Sequence, residues 1–210
     1  MLNFEWKEFE KNLKKLITFY SRFSVLPINA DQFEELVYTT LKHMGKNPEW
    51  KPGSHKPGAD ITIKAFAISS KSGQVANNML TISSYRLTRF PTLQEKLNFL
   101  KNDTREHAIY LCCARTDTKD ERIYRIFVIP ATLFHAFTDT EWEEVKTKKG
   151  EVAGWKTCDS QGIKAEINKK MSDQLWIHFP LELCTELFQV NLQKNELGID
   201  ADLPLREEQK

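Results

Sequence analysis

The nearly continuous apolar run HAIYLCCA at 107–114 constrains the fold of this chain more than any other segment. A run of this kind is typical of a strand buried within a sheet. A second strand, RIYRIFVIP, is predicted at 122–130 after the turn sequence TDTKDE, and Pro130 ends it. The middle of the chain therefore contributes two consecutive strands to the fold.

Apolar residues at helical spacing predict helices before these strands. Residues 4–24 form the first amphipathic helix. The second helix, DQFEELVYTTLKHMG at 31–45, is predicted to begin at Asp31 as its N-cap and to end at Gly45 as its C-cap. A short third helix, TLQEKLNFLK, is predicted at 92–101.

The remaining segments complete an α/β pattern. Residues 60–71 are predicted to form a tight hairpin of two short strands, ADITI and FAISSK, and the run at 73–83 is ambiguous. After the second central strand, a short helix is predicted around 131–137. From 138 onward the sequence indicates loops and short strands, with one clearer strand, DQLWIHFP, at 173–180. This order predicts a mixed central β-sheet flanked by α-helices, with additional C-terminal strands and loops.

Composition restricts the class of protein only broadly. The 210 residues suit one domain with a full core, and 40% hydrophobic and 28% charged residues are ordinary for globular proteins. The net charge of +1 says little about partners, because a basic face can coexist with an acidic remainder. No apolar run approaches the roughly 18–20 residues that span a bilayer. The charged N-terminus, MLNFEWKEFEKN, has the features of neither a signal nor a transit peptide.

The cysteines give no sign of a disulfide framework or a zinc site. Cys112, Cys113, Cys158 and Cys184 include no CxxC pair, and no histidine stands at zinc-finger spacing. Cys112 and Cys113 are predicted to be small core residues. A reducing, intracellular compartment is therefore expected.

Glu34, Asp60, Ser69 and Lys71 form the constellation that carries chemistry. An acid at the start of one strand and a lysine at the end of its hairpin partner can meet at a sheet edge, where a packed helix can add a second carboxylate. Carboxylates hold Mg²⁺ and leave water on it, while a nearby lysine orients that water. Hydrolysis of a phosphodiester needs such a set. Taken singly, each residue has a structural alternative as a strand edge, a solvated strand end or a helix-terminal charge.

These residues resemble the PD-(D/E)XK nuclease superfamily, which includes most Type II restriction endonucleases. FEELVYTTLKHMG resembles the helix that opens the family's core, with Glu34 at the acidic position. PGADITI resembles the metal-ligand strand, with Asp60 as its aspartate, and SSK resembles the (D/E)XK tripeptide, with Lys71 as its lysine. The order is also similar to that of archaeal Holliday-junction resolvases and Mrr-type enzymes.

The resemblance implies a restriction-endonuclease-like core with a metal site. Asp60 and Glu34 would hold Mg²⁺, for which Mn²⁺ would substitute, and the backbone carbonyl of Ser70 would be a further ligand. Lys71 would position the attacking water.

Ser69 departs from this pattern, because the family has Asp or Glu at its place. The serine is expected to hydrogen-bond a water at the metal rather than to ligate it directly. Glu34 is the candidate for the missing carboxylate, and Glu35 and Glu95 are lesser candidates.

The segment ISSYRLTRFP at 82–91 is the first predicted DNA contact, because hydroxyl and guanidinium groups donate to phosphates and base edges. Its candidates are Ser83, Ser84, Tyr85, Arg86, Thr88 and Arg89. The alternative is a polar loop whose arginines pair with Glu95 or Asp103.

Two basic segments supply further candidates. KPGSHKPG at 51–58 contributes Ser54, His55 and Lys56 near the scissile phosphate, where His55 is expected to contact phosphate rather than to act as a general base. KTKKGEVAGWK at 146–156 contributes Lys148 and Lys149, with a solvated hairpin tip as the alternative. Lesser candidates are Ser160, Gln161, Lys164, Asn168, Lys169 and Lys170.

The expected function is that of a cytoplasmic, prokaryotic Type II restriction endonuclease acting on double-stranded DNA. A homodimer is expected for palindromic sites, with helix 4–24 as the candidate contact face unless it packs in the core. A cognate DNA methyltransferase would act in the same host without direct contact. Residues 1–200 would form one domain, with a catalytic core at about 30–130, DNA-recognition elements at about 138–180 and a polar tail at 201–210. The alternatives are a DNA-repair or junction-resolving nuclease of the same core, or a catalytically inactive DNA-binding relative.

Overall fold

The computed structural model describes residues 4–50, 60–64, 66–102, 108–134 and 136–199. Within these ranges the helices are α1 (Trp6–Phe23), α2 (Ala30–His43), α3 (Leu93–Lys101) and the one-turn α4 (Ala131–Phe134). Short 3-10 turns follow at Ala136–Asp139, Lys169–Met171, Leu181–Leu183 and Lys194–Glu196. The three predicted amphipathic helices are confirmed. No helix in the described ranges is long and apolar enough to cross a membrane.

Eleven strands of the described chain join in one open, mixed sheet. They are β1 (Glu49–Trp50), β2 (Ile61–Ile63), β3 (Phe66–Ala76), β4 (Met79–Arg86), β5 (Ala108–Asp117), β6 (Glu121–Pro130), β7 (Glu143–Lys146), β8 (Val152–Cys158), β9 (Lys164–Asn168), β10 (Gln174–Pro180) and β11 (Thr185–Gln193). The order is β11-β6-β5-β3-β4-β10-β9-β8-β7, and the β1–β2 pair branches from β3. Only β3 and β5 run parallel among the described pairs. The prediction of an α/β chain with a mixed sheet is therefore confirmed.

The hydrophobic core lies on both faces of the central strands. On one face α1 and α2 bury Phe9, Leu13, Phe33 and Val37 against Leu111 of β5 and its neighbours. On the other face α3 packs its leucines against the sheet. Burying each large side chain of this kind contributes roughly 1.5–3 kcal/mol. The apolar stripe of α1 is thus used inside the chain, which is the core-packing alternative for that helix.

Strand β5 confirms the buried strand predicted at 107–114. Leu111 and Cys113 face the α1–α2 side, while Tyr110 and Cys112 face the α3 side, and all four are buried. Apolar residues at successive positions are needed because successive side chains point to opposite faces. The prediction that Cys112 and Cys113 are core residues is also confirmed.

The predicted ends of α2 were wrong by one or two residues. The N-cap is Asn29, not Asp31: the Asn29 side chain accepts a hydrogen bond from the Gln32 amide at 3.0 Å, and Gln32 Oε1 accepts from the Asn29 amide at 2.9 Å. This reciprocal pair provides acceptors for two backbone amides that have no hydrogen-bond acceptor within the helix. Asp31 lies inside the first turn. At the other end Met44 is the C-cap, and Gly45 follows it with a left-handed φ of +68°.

The hairpin after α2 is longer and less symmetrical than predicted. β2 has only three residues, while β3 continues through the ambiguous run to Ala76 and turns at Asn77 and Asn78 into β4. Both turn residues have positive φ, which asparagine tolerates better than most residues. The region after 138, predicted as loops with short strands, extends the sheet with β7 to β10. β11, which had no predicted counterpart, returns to pair with β6 at the other edge.

Candidate active site in a notch of the sheet

A notch in the sheet lies along one side of β3. β5 pairs with β3 from Ala67 to Gly73 on the other side. On the notch side, β2 pairs only as far as Ile68, and β4 pairs only from Gly73 onward. Residues 69–72 therefore have no strand partner on that side within the described chain, and their backbone groups are open to other partners.

Gly73 and a bulge explain why β4 leaves β3 at this point. β3 and β4 approach so closely that a Cβ at Gly73 would lie 2.8 Å from the Thr81 carbonyl oxygen and 2.9 Å from Cys112 Sγ. β4 pairs with β10 along its whole length, and beyond Ile82 this pairing continues alone, through a register shift between Gln174 and Trp176. A bulge bends the strand that carries it, so the two strands separate and the notch opens.

Asp60 fills this notch from the start of β2. Its amide donates to the Ile68 carbonyl at 3.0 Å, which fixes the residue beside β3. Its carboxylate Oδ2 then accepts from the Ser70 amide at 2.7 Å and from Ser69 Oγ at 3.0 Å. The Asp60 side chain thus takes the hydrogen bond that a neighbouring strand would otherwise receive. Because a strand residue exchanges both its N–H and its C=O with the same neighbour, the Ser70 carbonyl faces the notch as well.

Lys71 joins the same network from β3. Its Nζ donates to Ser69 Oγ at 2.9 Å and lies 4.0 Å from Asp60 Oδ2. The ammonium also lies 5.7 Å from the centroid of the Tyr110 ring. The Lys71 side chain is 18% exposed and that of Asp60 is 23% exposed, so both charges are sheltered but reachable from solvent.

Glu34 approaches the notch from the first turns of α2. Its Oε1 accepts a hydrogen bond from Trp50 Nε1 on β1. Partial burial raises the pKa of the Glu34 carboxyl, and the Trp50 hydrogen bond opposes that rise. The nearby charges of Asp60 and Lys71 shift this pKa in opposite directions, up and down respectively. The helix therefore brings Glu34 into the electrostatic neighbourhood of the notch.

These oxygen donors suit a hard divalent cation. Glu34 and Asp60 supply carboxylates, and Ser70 supplies a backbone carbonyl. Mg²⁺ is commonly held by one or two carboxylates while it keeps several waters. No cluster of three or more His, Cys, Asp or Glu side chains with metal-binding geometry occurs in the described ranges. A site that relies on two carboxylates and retained water fits this donor set.

The lesser candidates for the missing carboxylate lie elsewhere. Glu95 is in the first turn of α3, where its Oε2 accepts from the Thr92 amide at 3.0 Å and closes a capping box. The hydrogen bonds that the Thr92 amide and hydroxyl donate to this carboxylate lower the pKa of Glu95. Glu35 is exposed on α2 and next in sequence to Glu34.

The predicted DNA segment 82–91 forms the second half of β4 and the loop after it. Ser83, Ser84, Tyr85 and Arg86 lie on the strand, beside the notch, and Thr88 and Arg89 are exposed in the loop. The Arg86 Nε donates to Gln174 Oε1 at 3.4 Å. The Arg89 guanidinium lies 4.7 Å from the ring centroids of both Phe90 and Phe99. Of the two partners in the alternative, Glu95 instead caps α3, and Asp103 lies outside the described residues.

The other predicted contacts divide into three groups. Ser54, His55 and Lys56 lie outside the described residues. Lys148 and Lys149 are exposed in the turn that joins β7 to β8. Lys169 and Lys170 are exposed in the turn that joins β9 to β10, and Asn168 ends β9 directly before that turn. Ser160, Gln161 and Lys164 lie at the opposite end of these strands, so the fold separates them from the other candidates.

The strand directions place the β7–β8 turn and the β9–β10 turn at the same end of the sheet as the notch. Arg86 of β4 pairs with Gln174 of β10, which pairs with Asn168 of β9, which pairs with Gly154 of β8. β3 begins at this same end because it runs antiparallel to β4. Where β3 and β4 are paired, four strand spacings of about 4.8 Å separate β8 from β3 by roughly 19 Å. Cations from three separate segments thus line one end of the sheet, beginning beside the notch.

Sequence reasoning missed Lys96, which is 1% exposed. Its Nζ donates to the carbonyl oxygens of Leu87, at 3.0 Å, and Phe90, and lies 3.3 Å from Asp173 Oδ2. The lysine thereby ties α3 to the loop that carries Arg89 and to the β9–β10 turn. The pattern of leucines in α3 gave no signal, because the acidic partner is 77 positions away in sequence.

Comparison of this chain with models of protein families, with curated protein sequences and with solved structures found no match.

Proposed function

We propose that this chain is a Mg²⁺-dependent endonuclease that hydrolyses phosphodiester bonds of double-stranded DNA, with the notch as its active site. The single observation that carries the proposal is the direct network of Asp60, Ser69 and Lys71 in a gap of the sheet. Glu34 adds a second carboxylate from α2. The resemblance of these segments to the PD-(D/E)XK superfamily supports the same assignment.

Each residue of the network has a role that its contacts support. Asp60, Glu34 and the Ser70 carbonyl would hold the cation. When bound, Mg²⁺ would polarise the phosphate and lower the pKa of water. Lys71 would orient the attacking water and offset charge on the phosphate in the transition state.

Ser69 supports these roles in place of the expected acid. Its hydroxyl donates to Asp60 Oδ2 and accepts from Lys71 Nζ, so it links the acid and the base of the site. A hydroxyl adds no negative charge, so Ser69 orients the Lys71 ammonium by a hydrogen bond. The same substitution motivates the second candidate function, a DNA-binding protein that does not cut.

The cations at the notch end support DNA as the substrate. Phosphate contacts by lysine and arginine supply most of the affinity of nonspecific DNA binding. The end of the sheet where the notch lies carries Arg86, Arg89 and the lysines of the β7–β8 and β9–β10 turns. We further propose sequence-specific cleavage by a homodimer, in which two notches act on a palindromic site.

Plasmid cleavage with Mg²⁺ or Mn²⁺ tests the proposal. Wild type is expected to cut, while Asp60→Ala and Lys71→Ala are expected to lose about 10²-fold to 10⁴-fold in rate. Lys64→Ala is the matched control, because this exposed lysine lies in the same hairpin outside the network. Binding of a labelled duplex, measured separately, is expected to persist in Lys71→Ala.

The products distinguish the remaining possibilities. Discrete bands indicate a restriction enzyme, and cutting confined to branched DNA indicates a junction-resolving nuclease. Binding without cutting under every divalent metal would refute the enzyme assignment and favour the inactive relative. Undiminished cutting by Lys71→Ala would refute the role given to that lysine.

A further inference from the structure

Trp50 connects the two elements that carry the carboxylates of the notch. Its backbone lies on β1 and pairs with Ile61, the residue that follows Asp60. Its side chain extends to α2, where Nε1 donates to Glu34 Oε1. One residue therefore links the hairpin that presents Asp60 to the helix that presents Glu34.

The indole ring is held by a second contact on the same helix face. The Trp50 and Tyr38 rings lie 4.8 Å apart at an angle of 32°. Tyr38 stands four positions after Glu34, so the two side chains are neighbours on α2. The ring packs against one of them and donates to the other, which fixes both the position and the direction of the N–H.

A glutamate on a helix surface otherwise samples several rotamers. The Trp50 hydrogen bond selects one of them and occupies Oε1, which leaves Oε2 as the oxygen that we assign to the cation. Some groups hydrogen-bond a metal ligand without contacting the metal, and they fix the orientation of that ligand. Removal of such a group typically weakens metal affinity by about 10-fold to 100-fold. Trp50 has the geometry of such a group.

We propose that Trp50 is a positioning residue that presents Glu34 to the divalent cation of the notch. The inference rests on the proposed function, since it requires a cation held by Glu34 and Asp60. Trp50 contacts neither the reacting atoms nor the cation; it acts through the Glu34 carboxylate.

Mn²⁺ binding to the full chain without DNA provides a measurement that is independent of cleavage. Electron paramagnetic resonance of free Mn²⁺ is expected to show binding to wild type and its loss in Asp60→Ala. Trp50→Phe, which keeps an aromatic ring and removes the N–H, is expected to weaken Mn²⁺ binding about tenfold or more. In a Glu34→Gln background, Trp50→Phe is expected to add no further loss, because the carboxylate it orients is gone.

Trp142→Phe is the matched control. Trp142 Nε1 is buried and has no hydrogen-bond partner within the described residues. Trp142→Phe removes an indole N–H, as Trp50→Phe does, but from a ring that is remote from Glu34 in the fold. The Mn²⁺ affinity of Trp142→Phe is therefore expected to stay at the wild-type value. Thermal unfolding of each variant verifies that the fold persists. The ¹⁵N-indole resonance of Trp50, assigned in wild type by through-bond and NOE correlations, is expected to shift when Mg²⁺ is added.

Each outcome decides the inference. Wild-type affinity in Trp50→Phe, or an equal loss in the Glu34→Gln background, overturns the positioning role while leaving the metal site in place. Equal Mn²⁺ binding by wild type and Asp60→Ala, or no binding by either, overturns the proposed function and the inference together. If Trp50→Phe does not fold, an unshifted Trp50 resonance on addition of Mg²⁺ to wild type overturns the inference.

Discussion

Replacing Lys96 with methionine is expected to destabilise the chain by about 3 kcal/mol. The ammonium of Lys96 is buried and donates to two backbone carbonyls, and it lies 3.3 Å from Asp173 Oδ2. Methionine fills a similar volume but cannot donate to any of them. The change therefore isolates the loss of a buried charge from the loss of packing.

The magnitude follows from what the substitution leaves behind. Removing one partner of a buried ion pair typically costs about 3–5 kcal/mol, because the remaining charge is uncompensated. Asp173 keeps 15% of its side chain exposed, so water can partly solvate it, and the lower end of that range applies. In a chain of this length, 1 kcal/mol corresponds to roughly 2–4 °C, which predicts a melting temperature lower by about 6–12 °C.

Urea denaturation at 25 °C, followed by circular dichroism, measures the change in the free energy of unfolding. Lys96→Met combined with Asp173→Asn is the control, because it removes the orphaned charge; asparagine also tolerates the left-handed φ of +49° at this position. The double variant is expected to recover at least about 1 kcal/mol relative to Lys96→Met. A loss below 1 kcal/mol in Lys96→Met, or no recovery in the double variant, would refute the assignment of a buried ion pair.

Three further predictions test other parts of the fold and site. Gly154→Ala should destabilise the chain by about 1–3 kcal/mol in the same urea assay, because its Cβ would overlap a carbonyl oxygen of β9. Burial lowers the pKa of His178 below 6.5, so the unfolded chain binds more protons as pH falls through that value and stability decreases. His178→Gln should flatten the stability profile between about pH 7 and pH 5, and an unchanged profile would contradict this reading. Replacing Lys169 and Lys170 together with alanine should reduce the slope of log affinity for DNA against log salt by roughly 2, while Lys164→Ala at the far end should leave it unchanged.

Local sequence patterns determined the central strands and the helices. The run at 107–114 has apolar residues on both faces, so few environments other than a two-sided core can accept it. The stripe in α2 has the helical period, and only its ends were misplaced. A cap depends on the side-chain conformation of single residues, and both Asn29 and Asp31 belong to the residue types that cap helices.

The sequence also placed Asp60, Ser69 and Lys71 near one another. A hairpin returns the chain within a few residues, so the start of β2 necessarily lies beside the middle of β3. Ser69 and Lys71 are two positions apart and therefore point to the same face of the strand. These relations are local, which is why the spacing alone could predict them.

Only the tertiary structure decided what surrounds that hairpin. The notch exists because β4 pairs with β3 only as far as Ile82, while its pairing with β10, more than 80 positions later in the chain, continues to Arg86. The Lys96–Asp173 pair and the alignment of the basic turns depend on the same distant pairing. Periodicity reports the faces of one element, whereas strand order and register are set by contacts between elements far apart in sequence. The sequence thus determined that Asp60 and Lys71 lie close together. The assembled sheet determined the open edge that makes them accessible.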